Sequence, residues 1–323
     1  MRLGRDFTNC LLPDYLKEEQ RTALLNEELD LPSANAMVLE DYKKDVVGQL
    51  KIINKMGMNH LELDSDPPNP YLDFTEKQRK EIRETAESMD ITLSLHLPYT
   101  YIGASLCCFQ ESDRKIAAAH SLECAEFAAD IGAKHVVTHP GKIPFYQAKG
   151  RYYEQAKNAI VKSLSEIYEV CESGGVNLHM ENNVAFDNFM TEVNECIEVI
   201  RKARDRGTEV YFLFDIGHWF TRADAGKEIP DDPVKVVEDV PKELIKELHL
   251  NDYVPEKIIF HPPLHLQWGP LKREALERYA KIAKGKGVET IVLETALKNI
   301  NQFRDRDKLL EDEAKYVREV FGV

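Results

Sequence analysis

His96, His139, Glu181, Asp215, His218, His249, His265 and Glu294 stand at, or just past, the ends of short apolar runs spread along most of the chain. Imidazole nitrogen and carboxylate oxygen are donors that zinc, manganese, cobalt or iron accept, so the chemistry these types share is the binding of a divalent metal. A thiolate site is not indicated: Cys10, Cys107, Cys108, Cys124, Cys171 and Cys196 show no paired ligand spacing and are expected to be reduced and mostly buried.

Residues this far apart become neighbours only if a repeated architecture aims them at one point. The runs ITLSLH, HVVTH, VNLHME, VYFLFD, IKELHLND and ETIVLE are short, rich in Val, Ile, Leu or Phe, and preceded by longer amphipathic stretches. That is the pattern of buried parallel strands alternating with helices. The expected strands are Met1 to Phe7, His60 to Asp64, Ile91 to His96, His135 to His139, Val176 to Glu181, Val210 to Asp215, Leu248 to Asn251 and Thr290 to Glu294. Eight such units close an α/β TIM barrel, in which the carboxyl ends of all strands share one mouth.

On that rim, Glu181, Asp215, His249 and Glu294 supply one imidazole and three carboxylates to a single point, enough for one ion. His96 and His139 reach an adjacent point, and Glu181 can bridge the two, so two ions are accommodated. His218, in FDIGHWF, and His265, in HLQWG, are expected to contact substrate or a third ion. By strand parity His135 and His179 point inward one layer deeper, where they are expected to hydrogen-bond a ligand from below. His60 and His120 are read as helix-flanking or core residues. His261, in the FHPPLH loop, is a substitute ligand without independent support.

The surrounding sequence predicts one domain, since single barrels run to about 250 residues or more with loop insertions. Leu12 to Asn35 is expected to form an insertion over the mouth, followed by one helix from Asp41 to Met56 and another from Thr75 to Met89. Cys107 to Lys115 and Tyr253 to Leu271 are long loops on the carboxyl-terminal face, where substrate choice would reside. Trp219 and Phe220 are expected either to wall a sugar ring or to pack in the core, as is Trp268, and Lys142 to meet a substrate phosphate or carboxylate. No apolar run reaches the length of a membrane span, and MRLGRDFTNC lacks the layout of a signal peptide, so a cytoplasmic protein is expected. A formal net charge of −14 opposes tight nucleic-acid binding, although a metal-lined pocket contributes to the acidic count.

The motifs HLPY, VTHPGK, HMENN, FDIGH, LHLND, HLQWG and LET, in this order at successive strand ends, resemble the xylose-isomerase-like barrel superfamily over roughly Met56 to Glu294. That group includes metal-dependent sugar isomerases and epimerases and the endonuclease IV type of abasic-site nuclease. The isomerase branch implies one metal on Glu181, Asp215, His249 and Glu294, with Glu181 and Glu294 on opposite sides of a sugar as the catalytic pair moving a proton beside a carbonyl. The nuclease branch implies three zinc ions on the full set of eight residues. Tyr99 in HLPY and the spacing from His249 to Glu294 are similar to that branch. The aspartate expected two residues before the last histidine is here Pro263, which has no donor, and LELD at strand two is more like the isomerases.

The reading is therefore a divalent-metal-dependent isomerase or epimerase of a sugar or related polyhydroxy compound, using Zn, Mn or Co. One ion is expected, with ligands for two or three. The alternative is a multinuclear zinc phosphoesterase. A third is a catalytically silent barrel that binds a ligand or partner, which the pair Glu181 and Glu294 argues against. A small-molecule partner, no membrane and a homo-oligomer complete the expectations.

Overall fold

The computed structural model describes residues 1–10 and 13–323. Eight strands close a parallel barrel: β1 (Arg2–Arg5), β2 (His60–Asp64), β3 (Thr92–His96), β4 (His135–Thr138), β5 (Asn177–Glu181), β6 (Val210–Asp215), β7 (Ile245–Leu250) and β10 (Thr290–Leu293). Each neighbours the next in sequence, and β1 closes the ring by pairing with both β2 and β10. A two-stranded antiparallel ribbon, β8 (Tyr253–Val254) with β9 (Ile259–Phe260), rises from the loop after β7.

Strand continuity follows from the apolar content of the runs, whose outward residues meet the helices. On α7 (Val193–Arg204), Val193, Cys196, Ile197, Ile200 and Ala203 are buried at three- and four-residue steps, and they join Leu178, Met180, Phe212 and Phe214 in the main core. β7 starts at Ile245, three residues earlier than expected. Lys246 is an extra residue opposite the step from Phe212 to Leu213. This bulge shifts the alternation so that Glu247 and His249 pair with Leu213 and Asp215.

The segment before β2 differs from expectation. In place of one helix over 41–56 the chain forms α2 (Leu31–Lys44) and α3 (Val46–Lys55), because Asp45 ends the first and accepts a hydrogen bond from Gly48 N, capping the second. The expected insertion thus contains α1 (Glu18–Leu25) and runs into α2; its first residue, Leu12, lies outside the described residues. Leu16, Leu24, Ala34 and Val38 of this segment form a small separate core with Leu297 and Phe303, from the loop and helix that follow β10. The insertion is held against the rim by Asn35, whose Nδ2 donates to Thr8 O at 2.8 Å.

All six cysteines are free, five buried and Cys108 half-buried. Among the described residues no helix is long and apolar enough to cross a membrane.

Candidate metal and substrate site

Glu181, at the end of β5, is the centre of the mouth. It is fully buried, and one oxygen, Oε2, lies 3.1 Å from His96 Nε2 and 3.2 Å from His139 Nε2. The other, Oε1, lies 3.1 Å from His218 Nδ1 and 3.4 Å from His249 Nδ1. His249 Nδ1 is also 3.1 Å from Glu294 Oε1 and 4.0 Å from Asp215 Oδ2. Four side chains from four consecutive barrel strands, or the residue just past one, thus face one another as the strand-end pattern requires.

Their orientation is set from outside the group. Asn251, two residues past His249, donates from Nδ2 to Asp215 Oδ2 at 2.5 Å and to Glu294 Oε2 at 2.8 Å. Asn182 locks the backbone of Asp215 through paired bonds of 3.0 and 2.9 Å. Asn183 Oδ1 accepts from His139 Nδ1 at 2.8 Å, while its amide nitrogen donates to Gly141 O and Phe189 O. The three asparagines follow directly on the ends of β5 and β7 in HMENN and HLND, a polar signal that the sequence carries but that ligand counting passes over.

The electrostatics call for positive charge. Burial disfavours the imidazolium of His96, yet the bond to Glu181, with Glu62 and Asp64 behind it, outweighs this and lifts the group to about 10. His218 is raised to about 10 in the same way, with Asp215 and Glu181 overcoming burial. Glu181 and Glu294 are held below the ordinary carboxylate range despite burial, by the surrounding histidines. Asp215 is pushed up, by burial first and then by Glu294 and Glu181 against the pull of His218. Three buried carboxylates gathered around one imidazole nitrogen require cationic partners, which protons on imidazoles or a bound cation can provide.

The donor set also fits an ion. Among the described residues Glu181 Oε1 and His249 Nδ1 are buried without a hydrogen bond, and both face the space between Asp215 and Glu294. Such unpartnered atoms are costly unless a ligand satisfies them. Glu181, Asp215, His249 and Glu294 supply the nitrogen and oxygen donors suited to zinc, manganese or cobalt. Around them several trios converge, among them His96, His139 and Glu181; Glu181, Asp215 and His218; and His218, His261 and Glu294.

Above these groups opens a cavity of about 110 Å³, lined by His96, Tyr99, His139, Lys142, His218, His261 and Glu294 together with Asp6, Asp64 and Asp187. Tyr99 packs 5.0 Å from His96 and 5.1 Å from His139, ring centre to ring centre. Lys142 pairs with Asp187 at 3.2 Å.

Among the described residues neither His265 nor Trp268 lines this cavity; His261 takes the position expected for His265. The reason is tertiary. Leu264 is buried and its N–H donates to Glu313 Oε1 at 2.7 Å, docking the one-turn helix Leu264–Leu266 against α12 (Arg306–Phe321). Trp219 and Phe220 are core residues, buried behind the rim, with Arg222 stacked 4.6 Å over the indole.

One layer below the rim lies a buried polar tier missed in part by sequence reasoning. His135 Nε2 is 3.0 Å from Glu247 Oε1 and His179 Nδ1 is 2.6 Å from Glu247 Oε2, with the two rings stacked 4.4 Å apart. Their partner is thus Glu247 rather than a rim ligand. His60, read as helix-flanking or core, belongs to the same tier, stacked 5.4 Å from His135. Glu62 and Glu247 are each two residues before a rim residue, Asp64 and His249, so strand parity was the signal that could have found them.

Comparison with known proteins agrees with this architecture. Two uncharacterized proteins of Methanocaldococcus jannaschii match: MJ1614 is 33% identical over 138 residues, 42% of this chain and 50% of its own length, and MJ1311 is 26% identical over 142 residues, 44% of this chain and 47% of its own. The chain spans about half the length of the curated relatives it matches. Among solved structures, a D-psicose 3-epimerase crystallised with D-fructose superposes with a TM-score of 0.69 at 12% identity, covering 100% of both chains. The D-psicose 3-epimerase of Clostridium cellulolyticum H10 with D-tagatose gives 0.65 at 15%, covering 99% of this chain and 98% of the other. The IOLI protein with a binding zinc atom gives 0.66 at 15%, with the same coverage. At these identities the likeness is one of fold. A family described as Xylose isomerase-like TIM barrel matches residues 50–320, most of the chain, and to that family the chain belongs.

Proposed function

We propose that the chain is a divalent-metal-dependent isomerase or epimerase acting on a sugar or related polyhydroxy compound. The observation that carries this reading is the convergence of Glu181, Asp215 and Glu294 on His249 Nδ1, with Glu181 Oε1 and that nitrogen both left without hydrogen bonds. Sugar epimerases among the structural neighbours, and a neighbour that binds zinc, support it.

Glu181, Asp215, His249 and Glu294 would hold the ion, whose contribution is to polarise the carbonyl and hydroxyl oxygens of a bound polyol. Glu181 and Glu294 approach the site from β5 and from the end of β10, which suits them to act from two sides of a flat substrate. Glu294, at the cavity wall, removes the proton from the carbon beside the carbonyl, and Glu181 returns one to the opposite face. Glu294 suits the abstracting role because neighbouring imidazoles keep it ionised, and the proton that Glu181 returns would be supplied to it by His96 or His218, each 3.1 Å from one of its oxygens. Asn251 aligns Glu294 by holding its Oε2. Tyr99, Lys142, His218 and His261 line the space in which substrate hydroxyls or a terminal charged group would sit. Incubation with ketoses or aldoses in deuterated water, with manganese, cobalt or zinc, tests the reading: deuterium enters a carbon beside the carbonyl if it holds. Failure across a broad sugar panel would count against it.

The trio His96, His139 and Glu181 favours a second reading, a multinuclear zinc phosphoesterase. Two or more zinc ions per chain together with chelator-sensitive incision of abasic duplex DNA would establish that activity. The aspartates Asp6, Asp64 and Asp187 in the cavity wall make it less hospitable to a polyanion.

A further inference from the structure

We propose that Glu62 is the positioning residue that decides how His249 meets a metal ion. Its Oε1 would accept a hydrogen bond from the protonated Nε2 of the ring, which leaves Nδ1 without a proton and facing Glu181, Asp215 and Glu294. The inference rests on the metal reading above and concerns a residue that lies below the rim.

His249 is wholly buried, and its two nitrogens face opposite surroundings. Nδ1 faces the three carboxylates of the mouth. Nε2 faces the barrel interior, where Glu62 Oε1 is 3.2 Å away and Glu247 Oε1 3.9 Å. A neutral imidazole carries one proton, and a nitrogen that coordinates a cation cannot carry it. Coordination through Nδ1 therefore requires the proton on Nε2, and a buried N–H requires an acceptor.

Glu247 is already committed, with His135 and His179 on its two oxygens at 2.6–3.0 Å. Glu62 is half committed. Its Oε2 accepts from Ser94 Oγ at 2.8 Å, and that hydroxyl oxygen lies 2.9 Å from His60 Nε2. The remaining oxygen, Oε1, has no hydrogen bond among the described residues, and neither has His249 Nε2. Two buried, unpartnered atoms 3.2 Å apart are each other's available counterpart. Their separation is within hydrogen-bond reach, although no hydrogen bond joins them in this structure.

A carboxylate here does more than accept a hydrogen bond. Its negative charge makes the opposite ring nitrogen a stronger donor, the arrangement by which carboxylates behind ligating histidines tune metal sites. The chain from His60 through Ser94 to Glu62 holds that carboxylate from beneath, so the setting of His249 is braced from deep in the barrel.

Zinc alone is the probe. Zinc affinity of Glu62→Gln, measured by competition with a chelating dye, is expected to fall roughly ten- to a hundredfold below wild type, while the thermal midpoint of the metal-free chain stays close to wild type. In zinc-loaded wild-type protein carrying ¹⁵N-histidine, the His249 signals are expected to show the proton on Nε2 and the metal on Nδ1. Equal zinc affinity in Glu62→Gln, or a proton on Nδ1, overturns the proposal. If Glu62→Gln does not fold, the nitrogen spectrum of the wild type decides alone. A wild-type chain that takes up no zinc overturns the metal reading and this inference with it, an outcome distinct from wild type and variant binding equally.

Discussion

The side-chain oxygen of Asn251 occupies the space in which a Cβ on Gly217 would lie. Gly217 is the second residue of the short helix Ile216–Phe220, directly after Asp215, and the absence of a side chain lets Asn251 come in beneath it. From there its Nδ2 bridges Asp215 Oδ2 and Glu294 Oε2, two of the four proposed metal ligands. A glycine that ligand counting ignores thus sets the spacing of two carboxylates.

Gly217→Ala is expected to displace Asn251 and loosen both carboxylates. Overpacking of a buried position costs about 1–3 kcal/mol of stability, whereas misplacing reacting groups by an ångström costs about a hundredfold in rate. Urea unfolding and solvent-deuterium exchange into substrate measure the two effects separately. Unchanged exchange in a folded variant would show that Asn251 does not align the site.

Glu294→Gln removes the proposed proton acceptor and keeps the shape. Solvent-deuterium incorporation should fall about 10²- to 10⁴-fold, the range over which a positioned general base contributes. Zinc content should be assayed in parallel, because Glu294 is also a proposed ligand. A variant that retains zinc and exchanges normally removes Glu294 from proton transfer.

Acid should destabilise the barrel from its base. Burial, aided by repulsion from His135, depresses His60 to about 3 and His179 to about 4, so both are neutral in the fold. A depressed histidine contributes its stabilisation above the ordinary value of about 6.5 and loses it as pH falls through the folded value. The thermal midpoint is therefore expected to decline from about pH 6.5 downward, and His179→Gln should flatten that decline. An equal slope in the variant would place the acid sensitivity elsewhere, for instance in Glu181 and Glu294, which act with the same sign.

Arg5 and Glu313 form a fully buried pair at 2.7 Å, and Glu313 also accepts from Leu264 N and Thr295 Oγ1. Glu313→Ala leaves the guanidinium without its carboxylate and should cost roughly 3–5 kcal/mol. None of these four residues is a proposed ligand, so zinc affinity at Glu181, Asp215, His249 and Glu294 should hold in the folded fraction, while His261 loses the contact that places it in the cavity. Denaturant titration with and without zinc checks both statements.

The elements of the barrel were legible because each strand is a compact apolar run that ends on a polar residue or is followed directly by one, and strand parity carried the reading one layer down to His135 and His179. The break at Asp45 was not read, although aspartate before a helical stretch is a capping signal. The choice between His261 and His265 was beyond local pattern: both stand in one loop, and the contact that decides between them is made by Glu313, some fifty residues away in the chain.

By itself the sequence determined which residue types stand at the strand ends, and hence the family and the donor chemistry of the mouth. Tertiary structure alone decided which nitrogen of His249 faces the carboxylates, which loop histidine enters the cavity, and that Glu62 stands behind the ring. The physical reason is that alternation along a strand tells inside from outside, whereas the rotation of a side chain about that direction depends on neighbours brought in from other strands.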